Sequence, residues 1–260
     1  MIENHQKSNH FLQQVNPTLK LISILTVIFF MMPIFDPWTP FVFLLLTINA
    51  IKVLGGVSLR FLFKFLAPLS LFAFSFVWIN VVFPSERGET ILFTIGSMPV
   101  ALENIKTGIS LGLRSLIFAS WSLLFVLTTE PTKFMLSLIQ HCRLPPRLGY
   151  GMMAAYRFLP LFQEELNQVR AAHRIRGLGE PKGFTDRVYE IKRYLIPLLA
   201  SAIRKAERIA IAMESKGFDG SRQRSYYTII KWTSKDLLFS TGLIILFSGL
   251  LLLRKSYFLL

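Results

Sequence analysis

Apolar residues run in five long blocks along the chain, at 19–35, 38–54, 61–83, 105–127 and 237–253. Lys20, Ser23 and Thr26 are the polar positions of the first block, and Asp36-Pro37 marks a turn before the second. Each block holds ~17–23 residues, the length that carries an α-helix across ~30 Å of hydrocarbon. The pattern therefore predicts five transmembrane helices. Tilting or partial burial would suit the first two, which sit near the lower length limit.

The pattern changes at residues 131–235, where three amphipathic helices are expected. The first covers 131–141, with Pro131 in the first turn, where its missing N–H costs nothing. The second covers 146–176. Its apolar positions Leu148, Met152, Ala155, Leu159, Phe162, Leu166 and Val169 step by four and three, a helical stripe. Pro160 inside it predicts a kink. The third covers 186–216, with a stripe through Val188, Ile191, Leu195, Leu198 and Ala202. Leu199, Ala206, Ile209 and Met213 continue it beyond Pro197. The two long helices are expected to pack on each other. This divides the chain into membrane helices at 1–130, a basic helical region at 131–235 and a last membrane helix at 236–260, an all-α integral membrane protein.

Composition agrees. Of the 260 residues, 52% are hydrophobic and only 17% charged, and there are 24 Phe. A soluble domain has about a quarter of its residues charged. The net charge of +14 is unevenly spread. Residues 128–235 hold 19 of the 29 Lys+Arg and 9 of the 15 acids, a net +10. Cation density beside membrane segments argues for cytosolic loops and lipid headgroups rather than nucleic acid.

Lys52, Arg60 and Lys64 place the second-to-third loop and the N-terminus in the cytosol, while Glu86, Arg87, Glu89 and Glu103 form an acidic outer loop. Four crossings return the chain to the cytosol for the basic region, so a multi-pass protein of the cell membrane with a cytoplasmic soluble part is expected. The fifth crossing puts the C-terminus outside, against which Arg254 and Lys255 run. Residues 1–14 are polar and do not read as a signal peptide. The single cysteine, Cys142, permits no intrachain disulfide.

Candidate chemistry is sparse. No Gly-Lys-Ser/Thr phosphate loop is present, and Gly149-Tyr150-Gly151 follows no strand. One Cys and four scattered His give no metal-binding spacing. No catalytic residue is assigned. Arg114, inside the fourth block, must face protein, headgroups or water. Gly108, Gly112, Ser115 and Ala119 put small residues on one side of that block at 4-3-4 spacing, which allows close helix approach. They serve either packing within the chain or docking of another subunit.

The two long helices end alike, in Ile175-Arg176-Gly177 and Ser215-Lys216-Gly217. A cation in the last turn complements the helix dipole, and the following glycine closes the helix in the left-handed conformation. Each end alone is ordinary capping. Two such tips suggest plugs that pair with acidic residues on two similar partners or on one symmetric dimer.

With these ends in view, the chain resembles the transmembrane T component of energy-coupling-factor importers, the vitamin and metal-ion branch of ABC transporters that includes the cobalt-transport Q-like family. That family carries Ala-Arg-Gly signatures at the ends of two coupling helices, which match the two tripeptides above. Asn16-Pro17-Thr18-Leu19-Lys20-Leu21, Leu127-Thr128-Thr129-Glu130-Pro131, and Arg157-Phe158-Leu159-Pro160-Leu161 with Glu164-Glu165 resemble further family blocks. The departures are Ile175 and Ser215 for alanine and Lys216 for arginine, which exchanges a planar fork for a point charge.

The resemblance implies two ABC ATPase partners that bind the ATP, a substrate-binding S component, and coupling through Ile175, Arg176, Gly177, Ser215, Lys216 and Gly217. No cofactor is implied in this chain. The cargo it implies is a vitamin or metal ion, with a thiamine-type vitamin or its precursor as the first guess. The alternatives are a self-sufficient secondary transporter, which would show an intramembrane acid or inverted repeats, and a membrane enzyme built around Arg157 and Glu164.

Overall fold

The computed structural model describes residues 10–83, 90–95, 98–176 and 183–258. The chain forms α1 (Phe11–Gln14), α2 (Pro17–Met31), α3 (Trp38–Gly55), α4 (Leu59–Val82), β1 (Ile91–Ile95), β2 (Met98–Ala101), α5 (Leu102–Thr128), α6 (Pro131–His141), α7 (Pro146–Ile175), α8 (Phe184–Ser215) and α9 (Ser234–Phe258). The helical expectations hold to within a few residues, and α6 matches at both ends. One element was not expected. β1 and β2 pair antiparallel, Ile95 opposite Met98 and Ile91 opposite Ala101, within what reads as an acidic loop.

The helices α3, α4, α5 and residues Ser234–Leu252 of α9 are long and apolar enough to cross a membrane, and α2 is a shorter apolar helix. The chain is an all-α, multi-pass membrane protein. It divides into two compact units, Met1–Ser137 with Ile230–Leu260, and Leu138–Ile229.

In the first unit α5 lies at the centre. Val27, Met31, Phe43, Ile117, Trp121 and Phe247 form one core, with Phe43 stacked on both Trp121 and Phe247. Leu12, Ile51, Leu62, Leu66, Leu124 and Leu127 form a second. Large side chains on the opposite faces, such as Phe63, Leu71, Phe72 and Phe74 of α4, are exposed. Water would penalise such a surface, whereas hydrocarbon accepts it.

Gly108 and Gly112 of α5 face α4. A Cβ at Gly108 would lie 2.9 Å from the Val77 Cα, and one at Gly112 would lie 2.8 Å from the Ala73 carbonyl oxygen. Only glycine lets the two backbones approach so closely. Ser115 turns its hydroxyl back to the Gly112 carbonyl at 2.7 Å, and Ala119 packs against the second core. The surface at the two glycines is thus covered by α4 of the same chain rather than left open to another subunit.

Buried polar groups join elements far apart in sequence. Asn16 caps α2 by accepting from the Thr18 N–H at 3.0 Å. The Asn16 N–H donates to Asp236 Oδ1 at 2.6 Å, and the Thr233 N–H donates to Asp236 Oδ2 at 2.7 Å. One carboxylate therefore caps α9 and holds it to the start of α2. Arg114 is buried, and its guanidinium donates to the carbonyls of Met32, at 3.2 Å, and Ile34. It also lies 4.8 Å from the centre of the Phe35 ring. A cation at the C-terminal end of α2 satisfies carbonyls that the helix leaves unpaired. Of the three settings open to it, Arg114 takes protein.

Candidate functional site

The second unit is built on the pair α7 and α8. Their partners run in opposite directions: Arg147 donates to the Asp219 carbonyl, Ser201 to Glu165, and the His173 ring lies tilted 5.4 Å from that of Tyr194. The two helices are therefore antiparallel along their length. Both run unbroken through their internal prolines, Pro160 and Pro197.

Glu165 supplies the polar link between them. Its Oε1 accepts from Ser201 Oγ at 2.8 Å and lies 2.6 Å from Lys205 Nζ. The Lys205 ammonium and then the Ser201 hydroxyl hold its carboxyl below the ordinary glutamate range. The neighbouring Glu164 and Arg157 are exposed.

Between the helices lies a largely apolar groove of about 970 Å³, lined among others by Ala154, Phe158, Phe162, Ala206, Ile209 and Met213. The stripes predict which faces are apolar, but not that they are covered. Leu159 is 62% exposed, and Leu148, Ile191, Leu195 and Leu199 are also exposed.

The tips stand free of these contacts. Ile175 is 88% exposed and Arg176, which closes α7, is exposed. Gly177 lies outside the described residues. At the second tip Lys216 is the C-cap. The Phe218 N–H donates to the Met213 carbonyl at 3.0 Å and the Gly217 N–H to the Glu214 carbonyl at 2.9 Å, with Gly217 at φ +81°. This pair of bonds is a Schellman motif. Phe218 and Met213, the two positions where such a motif places apolar side chains, line the same groove. Ser215 and Lys216 are exposed.

The antiparallel pairing does not bring the tips together. Arg176 lies at the end where α7 finishes. Lys216 lies at the opposite end, where α7 begins beside Asp219. At 1.5 Å per residue they are separated by roughly 40 Å along the pair.

Sequence reasoning missed the surroundings of the second tip. In the sequence Tyr150 stands out only within Gly149-Tyr150-Gly151, yet its ring meets Phe218 edge to face at 5.4 Å, and the Arg224 guanidinium covers both rings. Asp236 reads as a helix-start residue, and only the fold shows it 3% exposed and accepting from the Asn16 N–H and from the N–H and hydroxyl of Thr233. The Thr-x-x-Asp spacing of Thr233 and Asp236 was an available sign of a capping box.

Comparison with known proteins places this arrangement. The profile of a family described as cobalt transport protein, CbiQ, matches residues 8–227. The energy-coupling factor transporter transmembrane protein EcfT of Bacillus subtilis (strain 168) is 29% identical over 98% of this chain and 98% of that protein. The protein of the same description from Exiguobacterium sibiricum is 32% identical over 82% of this chain and 81% of that protein. That from Thermosediminibacter oceani is 28% identical over 91% of each.

Proposed function

The chain belongs to the CbiQ family as a transmembrane T component of energy-coupling factor transporters, and on that premise we propose that it couples two ABC ATPases to a substrate-binding S component. The ATPases bind the nucleotide. Arg176 and Lys216, each flanked by Ile175 or Ser215 and by a glycine, seat in acidic sockets on the two ATPases.

The observation that carries this reading is the placement of two exposed cationic helix ends at opposite ends of one antiparallel pair. Two sockets roughly 40 Å apart suit two separate subunits. When the ATPases close on ATP, their sockets move, and the pair rotates or shears as a lever. The motion passes through the connecting chain to the membrane unit and shifts the S component. That component selects the cargo, a vitamin or a metal ion; a thiamine-type vitamin or its precursor is the first to test. The protein works in the cell membrane, with α7 and α8 on the cytoplasmic side.

The test is charge reversal at both tips, Arg176→Glu with Lys216→Glu, in the tagged full chain. Both ATPases are expected to disappear from the purified complex. Retention of both at wild-type levels overturns the coupling assignment.

A further inference from the structure

The segment after α8 folds back on the start of α7 and holds the second tip in place. Phe218, whose N–H closes the Schellman motif, lies with its ring 5.4 Å from that of Tyr150 on α7. The Arg224 guanidinium sits 4.9 Å from the centre of each of these rings. Its Nε and Nη1 are buried and make no hydrogen bond among the described residues, so the two ring faces, together with the charge of the nearby Asp219 carboxylate, hold the cation there. Three further bonds tie the same stretch down. Arg147 Nη2 donates to the Asp219 carbonyl at 3.1 Å, Arg222 Nη2 donates to the Arg143 carbonyl at 3.1 Å, and Gln140 Nε2 donates to the Thr228 carbonyl at 2.8 Å. Arg147 also packs across Gly220, which has φ +74° and no side chain to block it.

We infer that Arg224 is a positioning residue for the Lys216 tip. By bridging Phe218 and Tyr150 it makes the cap of α8 and the first turns of α7 one rigid piece. The cation at Lys216 is then presented in a fixed direction, and a push on it is delivered to α7 rather than absorbed by fraying of the last turn of α8. An unsupported Schellman cap frays readily, because the last turn of a helix is its least stable part. Lys216 needs such support more than an arginine would, since an ammonium gives no directional fork of its own. The part of this inference that concerns the socket rests on the coupling function proposed above. The clamp itself does not.

The experiment therefore has two arms, both on the full chain in lipid nanodiscs. The first measures amide hydrogen exchange at Gly217 and Phe218 in wild type, Arg224→Ala, Arg224→Lys and Tyr150→Phe. Loss of two cation–ring contacts is expected to speed exchange roughly tenfold in Arg224→Ala. Arg224→Lys keeps a cation and Tyr150→Phe keeps a ring, so both should stay close to wild type. Unchanged exchange in Arg224→Ala, or an equal rise in Arg224→Lys, overturns the clamp.

The second arm titrates the purified ATPases onto the same nanodiscs. Arg224→Ala is expected to weaken binding about fivefold, with rescue by Arg224→Lys. Wild-type affinity in Arg224→Ala, despite faster exchange, overturns the positioning role. Lys216→Glu is the companion variant. If it leaves ATPase affinity untouched while Arg224→Ala still speeds exchange, the socket assignment falls and the clamp stands.

Discussion

The ammonium of Lys20 donates to the carbonyl oxygen of Thr128 at 2.9 Å, although 108 residues separate them. It also reaches Thr128 Oγ1 at 3.2 Å and Thr129 Oγ1 at 3.4 Å. Lys20 is 1% exposed. The start of α2 is thus bonded to the end of α5, where helix carbonyls lack partners of their own. Lys20→Met keeps the length of the side chain and removes the donor. It should lower stability by about 1–3 kcal/mol, the cost of stranding a buried acceptor. Thermal unfolding of the detergent-solubilised chain measures it. Thr128→Val, which leaves the carbonyl in place, should cost less than Lys20→Met; the opposite order would mean that the carbonyl bond is not the main one.

Asp236 gives a second, independent point of closure. One of its oxygens accepts from the Asn16 N–H and the other from the Thr233 N–H and hydroxyl. Asp236→Ala removes the acceptor of the buried Asn16 N–H and of the half-buried Thr233 N–H and hydroxyl, and should destabilise the membrane unit by about 1–3 kcal/mol. Release of α9 from α2 should accompany this, seen as faster protease cleavage between the basic region and the C-terminal helix. Asp236→Asn retains one acceptor and should fall between the two. Equal protease resistance in wild type and Asp236→Ala would show that core packing alone holds α9.

These two links explain what was and was not legible in the sequence. Helix limits were readable because each is set locally, by apolar length, a capping residue or a proline. Pro131–His141 is the clearest case. The lines Asn16–Leu21 and Leu127–Pro131 could be matched to family blocks one at a time, but nothing in either string says that Lys20 meets Thr128. Periodicity fixes which side of a helix is apolar, not what covers it, so Leu148 and Leu159 were legible as a stripe and not as exposed. The β1–β2 hairpin is too short, and too close to charged residues, to give a periodic signal. The tip residues were readable from capping chemistry, whereas their placement at opposite ends depends on the antiparallel pairing of α7 with α8.

Helix contact at Gly112 should tolerate no side chain. The added Cβ of Gly112→Ala would meet backbone, the Ala73 carbonyl oxygen at 2.8 Å, which cannot rotate away. A loss of about 1–3 kcal/mol is expected from forcing α4 and α5 apart. Gly242 of α9 has nothing within 4 Å, so Gly242→Ala should be neutral or slightly stabilising. A matched pair of melting curves decides. Equal curves for Gly112→Ala and wild type would show that the two helices can separate without cost.

The Glu165 link should respond to acid. Its carboxyl is held below the ordinary value of 4.5 by Lys205 and Ser201. A depressed carboxylate contributes fully above that ordinary value and is lost as the pH falls through its lower folded value. The contact between α7 and α8 should therefore be indifferent to pH near neutrality and loosen only below about pH 4.5. Glu165→Gln should remove the response. Amide exchange around Ser201, followed from neutral to acidic pH, reports it; a transition near neutrality would assign the link to another group.

Gly217 separates backbone strain from steric fit at the second tip. Its φ is +81° and the space around it is open. A methyl group therefore meets no neighbour, and any cost of Gly217→Ala comes from the left-handed backbone alone, about 1–2 kcal/mol. Asparagine visits that region more readily, so Gly217→Asn should cost less than alanine does. Both should raise amide exchange at Phe218, alanine more than asparagine. If the open space is instead where an ATPase approaches, the two variants should also separate in a second way. Asparagine, the bulkier residue, should then weaken ATPase binding more than alanine, reversing the order seen in exchange. The same order in both measurements would mean that Gly217 serves only to close the helix.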